Sequence, residues 1–325
     1  MSAHVGVVGL GLMGTAHATR LREAGATVVG ADVSAAAREE FASEFDAPTF
    51  ESHEALLDSG VDAVVVTVPN SVHEAVTVDA LERGVHVLVE KPLAHTVESA
   101  ERIAAAARDS SAFCTAGFVM RYYGCATALL DRCAAGEFGE VQHVEAAYVR
   151  RDGVPESGWF RDAPLAGGGA LVDIGVHVLD LALASIDFPA VEGVYGRARS
   201  EREPLSVEDS ATALLRCADG STISLEAAWA SNRELRKEVV VRGTEGGATL
   251  DLVDETLTVY DDPTEEPTVV ETGETVWLTP EVEAFVAAVD ADQPPSTGTI
   301  DEALTVQRAI GAVYESSDTG EVVRP

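Results

Sequence analysis

Val5-Gly6-Val7-Val8-Gly9-Leu10-Gly11-Leu12-Met13-Gly14 is the stretch whose reading decides the fold. A short apolar run without alternation reads as a central strand of a parallel sheet, buried on both faces. It passes directly into the pattern G-x-G-x-x-G. Gly9 permits the tight turn, Gly11 lets backbone approach a pyrophosphate, and Gly14 lets the next helix pack close to the strand. That helix, from about Gly14 to Arg22, would aim its N-terminal amides at phosphate. A glycine-rich turn alone can be only a turn. Here it follows a strand, opens a helix, and precedes a second strand, Thr27 to Ala31, that ends in Asp32 about 20 residues on. Leu10, Leu12 and Met13 complete the dinucleotide loop.

Asp32 bears on the choice of dinucleotide. A carboxylate there accepts hydrogen bonds from the adenosine ribose hydroxyls and repels a 2′-phosphate. The next residues, Val33 and Ser34, supply no adjacent base. NAD is therefore expected over NADP.

Working outward, residues 1–118 alternate strand and helix. Strands are expected at Val5–Val8, Thr27–Ala31, Ala63–Val68, His86–Val89 and Phe113–Ala116. Helices are expected at Thr15–Glu23, Ala35–Glu44, Val72–Arg83 and Val97–Arg108. This βαβ rhythm predicts a doubly wound parallel Rossmann sheet. Residues 119–325 change character. Helices at Ala126–Ala135 and Leu171–Ala184 flank a glycine-rich loop. Strands then dominate from Val191 to Tyr260, with Asp219-Gly220 and Glu245-Gly246-Gly247 where hairpin turns are needed. The reading is an α+β domain with a mainly antiparallel sheet, closed by helices at Glu281–Ala291 and Ile300–Ser316, which can return to the first domain.

Composition narrows the function. With 325 residues, two domains are expected. No apolar run approaches the roughly 20 residues of a membrane span. The chain enters its first strand at once, with no signal peptide, and its four cysteines lack metal or redox spacing. A cytoplasmic protein is expected. Fifty-five acids against 22 bases give a net charge of −33. Self-repulsion of that size is relieved by salt, so the composition reads as halophilic. It also argues against nucleic acid and membrane partners.

Three motifs carry chemistry. Ala63–Val68 runs on through Thr67 and Pro69 to Asn70, with His73 close behind. The next strand ends in Glu90-Lys91-Pro92. Both lie at carboxyl ends of parallel strands, where open α/β sheets bind ligands. Lys91 is one of two lysines in the chain, the other being Lys237. Retaining an ammonium at that edge points to a compact donor for a substrate hydroxyl. Third, Asp173 and His177 are four apart on an expected helix and share its face. A carboxylate can orient an imidazole that removes a proton from an alcohol. Gly175 between them would leave room for a ligand. No metal is expected, since no His or Cys cluster supports one.

These residues, with Gly117-Phe118, Arg121-Tyr122 and the run Gly167-Gly168-Gly169-Ala170-Leu171-Val172-Asp173-Ile174-Gly175-Val176-His177, resemble the Gfo/Idh/MocA oxidoreductase family over essentially the whole chain. The resemblance implies a nicotinamide cofactor and hydride transfer at a sugar, cyclitol or related carbinol carbon. It implies Lys91 as holder of the reacting hydroxyl, His177 as acid/base and Asp173 as its assistant. Arg121, Tyr122 and Trp159 are candidate substrate contacts; Arg161 is another candidate, or an ion-pair partner. The open sheet face implies a homo-oligomer, a dimer or tetramer. The alternative function is a non-catalytic NAD-sensing regulator, which would not need Lys91, Asp173 and His177 together.

Overall fold

The computed structural model describes residues 2–155, 158–200, 205–261, 264 and 266–325. It divides into two compact units, Met1–Val119 with Val276–Leu304, and Met120–Thr275 with Thr305–Pro325.

The first unit is built from β1 (His4–Val8), α1 (Leu12–Glu23), β2 (Thr27–Ala31), α2 (Ala35–Phe45), β3 (Thr49–Phe50), α3 (His53–Leu57), β4 (Ala63–Val66), α4 (His73–Glu82), β5 (His86–Glu90), α5 (Val97–Asp109) and β6 (Cys114–Gly117). Its six strands are all parallel, in the order β3-β2-β1-β4-β5-β6. Valines fill β1 and β4 because both faces are covered, and Val5, Val7, Val64 and Val65 are fully buried. The short β3 and α3 were not legible, being too brief for any period to show.

The second unit contains α6 (Gly124–Ala134), β7 (Val141–Val149), α7 (Ala163–Ala166), a π-helical turn (Leu171–Gly175) and α8 (Val176–Ala184). Six strands and a short edge strand follow: β8 (Val191–Arg199), β9 (Ser210–Cys217), β10 (Thr222–Ala228), β11 (Arg236–Gly243), β12 (Gly247–Asp251), β13 (Thr256–Tyr260) and β14 (Thr268–Val270). The eight-stranded sheet runs β14-β13-β12-β11-β7-β10-β9-β8. Only β7 and β10 pair in parallel; the other neighbours are antiparallel.

Two helices close the chain, α9 (Thr279–Ala291) and α10 (Ile300–Thr319). α9 returns to the first unit, where Val282, Phe285, Val286 and Val289 join the core of Leu21, Phe41 and Phe113. The end of α10 belongs to the second unit, where Ser316 Oγ accepts the Gly196 N–H at 3.0 Å. The stretch Ala163–Ala184 is long and apolar enough to cross a membrane, with mean hydropathy 1.4, which corrects the expectation that none came near. Yet 83% of that window is buried, and the stretch is broken at Gly167–Gly169 between α7 and the π-helical turn, so it lies in the core of its unit.

Candidate active site

In the first unit the glycine turn is built by close contacts. Gly9 has φ +97°, a conformation that costs other residues energy. A Cβ on Gly14 would lie 1.9 Å from Gly9 O, so only glycine lets α1 approach. Thr67 Oγ1 donates to Gly9 O at 2.6 Å and ties the end of β4 to the turn. A Cβ on Gly11 would meet nothing within 4 Å, leaving open space over the turn at the start of α1. Asp32 Oδ2 accepts the Leu10 N–H at 2.8 Å, and Oδ1 accepts the Ser34 N–H at 2.7 Å. Leu12 and Val33 are 85% and 91% exposed, two apolar side chains flanking this polar turn. Met13 instead packs on the core. Open backbone at a helix start, a carboxylate and exposed apolar flanks together fit a dinucleotide.

One expectation about Asp32 is corrected. A base does lie close by: Arg38 on α2 donates to Asp32 O at 2.8 Å and Val33 O at 3.2 Å, and lies 3.3 Å from Glu51. The first turn of α2 carries it back over the strand end. Its guanidinium is engaged by backbone carbonyls and an acid.

The motif residues next to β4 and β5 divide. Pro69 precedes a 3₁₀ turn, Asn70–Val72, and Asn70 is buried. His73, expected at the cofactor, is buried. Its Nδ1 is 3.0 Å from Pro92 O and its Nε2 is 3.0 Å from Val68 O, so it braces two loops. Burial holds His73 below the usual imidazole range, although both carbonyls oppose this. A neutral ring carries one N–H and donates to one of the two. Glu90, also expected at the cofactor, is buried and hydrogen-bonded within its unit. Its Oε1 meets His17 Nε2 at 2.8 Å and its Oε2 accepts the Lys91 N–H at 3.1 Å. Burial pushes Glu90 up, but His17 and Lys91 outweigh it and hold the carboxyl below its ordinary value. Lys91 itself is half-buried at the carboxyl end of β5.

In the second unit Asp173 lies on the π-helical turn and His177, buried, on the first turn of α8. π-turns within helices occur often at functional sites. Asp173 Oδ2 accepts the indole N–H of Trp229 at 2.9 Å, and Trp229 is fully buried. The expected room beside Gly175 is filled: a Cβ there would lie 2.8 Å from the Ala227 Cβ of β10. Arg121, expected as a substrate contact, is paired with an acid. Its Nε and Nη2 donate to Asp180 at 2.7 and 2.5 Å, both side chains are essentially buried, and it sits over the Phe188 ring. A buried bidentate pair of this kind fixes structure. Tyr122 is half-buried. Trp159 stacks on Phe160 at 3.9 Å between ring centroids, and Arg161 O accepts from Ser206 Oγ at 2.6 Å.

Three residues that matter locally were missed: His17, Trp229 and Glu208. Glu208 accepts the N–H of Gly169 at 2.8 Å and of Leu171 at 2.9 Å, and the Tyr314 hydroxyl donates to it at 3.0 Å. Burial pushes Glu208 above the ordinary carboxylate range, against these three donors. A Cβ on Gly169 would lie 1.9 Å from Glu208 O. The triple glycine before Asp173 therefore makes room for this clamp.

A glycine turn and a carboxylate at the carboxyl edge of a doubly wound sheet fit a dinucleotide-binding protein. The chain belongs to the Gfo/Idh/MocA oxidoreductase family. The family's NAD-binding Rossmann-fold profile matches residues 3–118, and its C-terminal-domain profile matches residues 127–249. It is an NAD(P)-dependent dehydrogenase. A protein of Amycolatopsis mediterranei, provisionally named UDP-kanosamine synthase oxidoreductase subunit, is 38% identical over 77% of this chain and 75% of its own. The D-glucoside 3-dehydrogenase of Escherichia coli is 31% identical over 80% of this chain and 78% of its own. The solved structure of an oxidoreductase domain protein from Kribbella flavida has a TM-score of 0.91 at 27% identity, covering 100% of this chain and 99% of that one.

Proposed function

We propose that the protein oxidises a carbinol carbon of a sugar or sugar-like polyol with NAD. The observation that carries this is the place of Lys91: at the carboxyl end of β5, on the sheet edge that bears the glycine turn and Asp32. When bound, NAD accepts the hydride. Lys91 donates a hydrogen bond to the reacting hydroxyl, His177 takes the hydroxyl proton, and Asp173, held by Trp229, assists His177. Asp32 favours NAD by repelling a 2′-phosphate. The sugar class rests on the glucoside and nucleotide-sugar relatives.

The charge of −33 supports a halophilic, cytoplasmic setting. The open face of the second sheet supports a homo-oligomer, since Tyr195 and Leu214 are paired across β8 and β9 and both are about half exposed. The test is a substrate panel of aldoses, methyl glucosides, inositols, sugar acids and nucleotide sugars. Each is run with NAD and with NADP, at low and at molar salt, following nicotinamide absorbance. Reduction of NAD by a sugar or cyclitol at high salt supports the reading. Inactivity across the panel, or equal use of NADP, contradicts it.

A further inference from the structure

The buried His17–Glu90 pair has no part in the reaction above. His17 lies on α1, three residues beyond Gly14, and is fully buried. Its Nε2 meets Glu90 Oε1 at 2.8 Å, while its Nδ1 is buried with no hydrogen-bond partner. The imidazole is therefore anchored through one nitrogen, and facing a carboxylate that nitrogen carries the proton. The other Glu90 oxygen accepts the Lys91 N–H. Gly117 of β6 is the neighbour of Glu90 in the sheet, and its lack of a side chain makes room for the Glu90 carboxyl: a Cβ there would be 3.3 Å from Glu90 Cα and 3.5 Å from its Cδ. On the far side of Lys91, the Pro92 carbonyl is 3.0 Å from His73 Nδ1. The backbone before Lys91 is thus held by Glu90, and the backbone after it lies against the buried His73 ring.

We propose that His17 is a positioning residue for Lys91, acting through Glu90. The helix that starts at the glycine turn thereby also sets the origin from which Lys91 reaches its hydroxyl. The inference rests on the reading of Lys91 given above. A lysine stem has many rotamers, and fixing its backbone fixes the origin from which its ammonium reaches. Removing His17 leaves Glu90 a buried acceptor without its donor, and the carboxylate must move or take up a proton.

The test varies reach at one position. His17→Gln keeps an N–H donor of similar length, His17→Leu removes it, and His17→Asn retains an amide too short to span the contact. Because the chain has only Lys91 and Lys237, reductive ¹³C-methylation gives two ε-amine NMR signals, assigned with Lys237→Arg. In the Leu and Asn variants the Lys91 signal is expected to move while Lys237 stays. In the Gln variant both match wild type. With the sugar selected by the panel, kcat falls in Leu and Asn, by up to roughly 10²-fold for a displacement near 1 Å. KM and NAD affinity by fluorescence titration hold. A folded Leu or Asn variant with an unmoved Lys91 signal and wild-type kcat overturns the inference. Wild-type turnover in Lys91→Ala would instead overturn the role of Lys91, and the NMR signal would still decide whether His17 positions it.

Discussion

Two glycine clusters precede two helices in this chain, and they serve opposite ends. At Gly9–Gly14 two glycines are packed on backbone, but the middle one opens a space that protein does not fill, since nothing lies within 4 Å of a Cβ on Gly11. At Gly167–Gly169 the cleared space is taken by the chain itself. A Cβ on Gly168 would be 2.0 Å from the Tyr314 hydroxyl, and one on Gly169 would be 1.9 Å from Glu208 O. Similar composition therefore marks a ligand cradle in one place and a packed clamp in the other. Each region is also pinned by a buried carboxylate: Glu90 behind Lys91, and Glu208 behind the turn that carries Asp173.

The sharpest way to break the comparison is to add a methyl group. Gly14→Ala and Gly169→Ala each drive a Cβ into backbone oxygen and should lose folded protein, read by circular dichroism melts. Gly11→Ala is different: Gly11 has φ −79° and ψ −162°, allowed to alanine, and the site is open. Its melting temperature should match wild type while NAD binding weakens in fluorescence titration. Equal melting of Gly11→Ala and Gly169→Ala would erase the contrast.

Glu208→Leu should come next in size. It leaves the N–H groups of Gly169 and Leu171 without their acceptor, at about 1–3 kcal/mol for each buried group. Urea unfolding measures the loss, and a loss well under 1 kcal/mol would mean that the clamp does not hold the turn. Asp32→Ser should have a milder effect, narrowing the preference for NAD over NADP in kcat/KM without unfolding the protein.

The smallest effect separates the two carboxylates by pH. Glu90 is held below its ordinary value, so its stabilisation is complete above pH about 4.5 and is lost as pH falls through its folded value. Glu208 is held above, so wild type loses stability against Glu208→Gln as pH rises from about 4.5 through the folded value. Unfolding free energies of wild type minus each Gln variant should slope in opposite directions with pH. Slopes of one sign would remove the distinction.

How much of this was legible follows the range of the contacts. The strand Val5–Val8, the glycine turn and Asp32 could be read because their signals are local. The parallel sheet followed from the alternation of elements. The partners that hold the motif residues could not be read: Glu90 is 73 residues from His17, and Trp229 is 56 from Asp173. Spacing carries no information at that range. The partners of Arg121 and His73 were hidden for the same reason. Their residue types fit ligand contact, and only packing shows Arg121 paired with Asp180 and His73 set between two carbonyls. The return of α9 to the first core was left open because an apolar helix face does not name the core it joins.

The central claim is that Lys91 and His177 act on one substrate hydroxyl. Steady-state oxidation by His177→Ala and Lys91→Arg, each paired with NAD titration, tests it most directly. The account predicts that His177→Ala loses roughly 10²–10⁴ in turnover and flattens the rise of rate with pH, while NAD still binds. It predicts that Lys91→Arg also fails, because a planar guanidinium does not replace a compact ammonium. Near wild-type turnover in His177→Ala would remove the base, and near wild-type turnover in Lys91→Arg would return Lys91 to an ordinary ion pair.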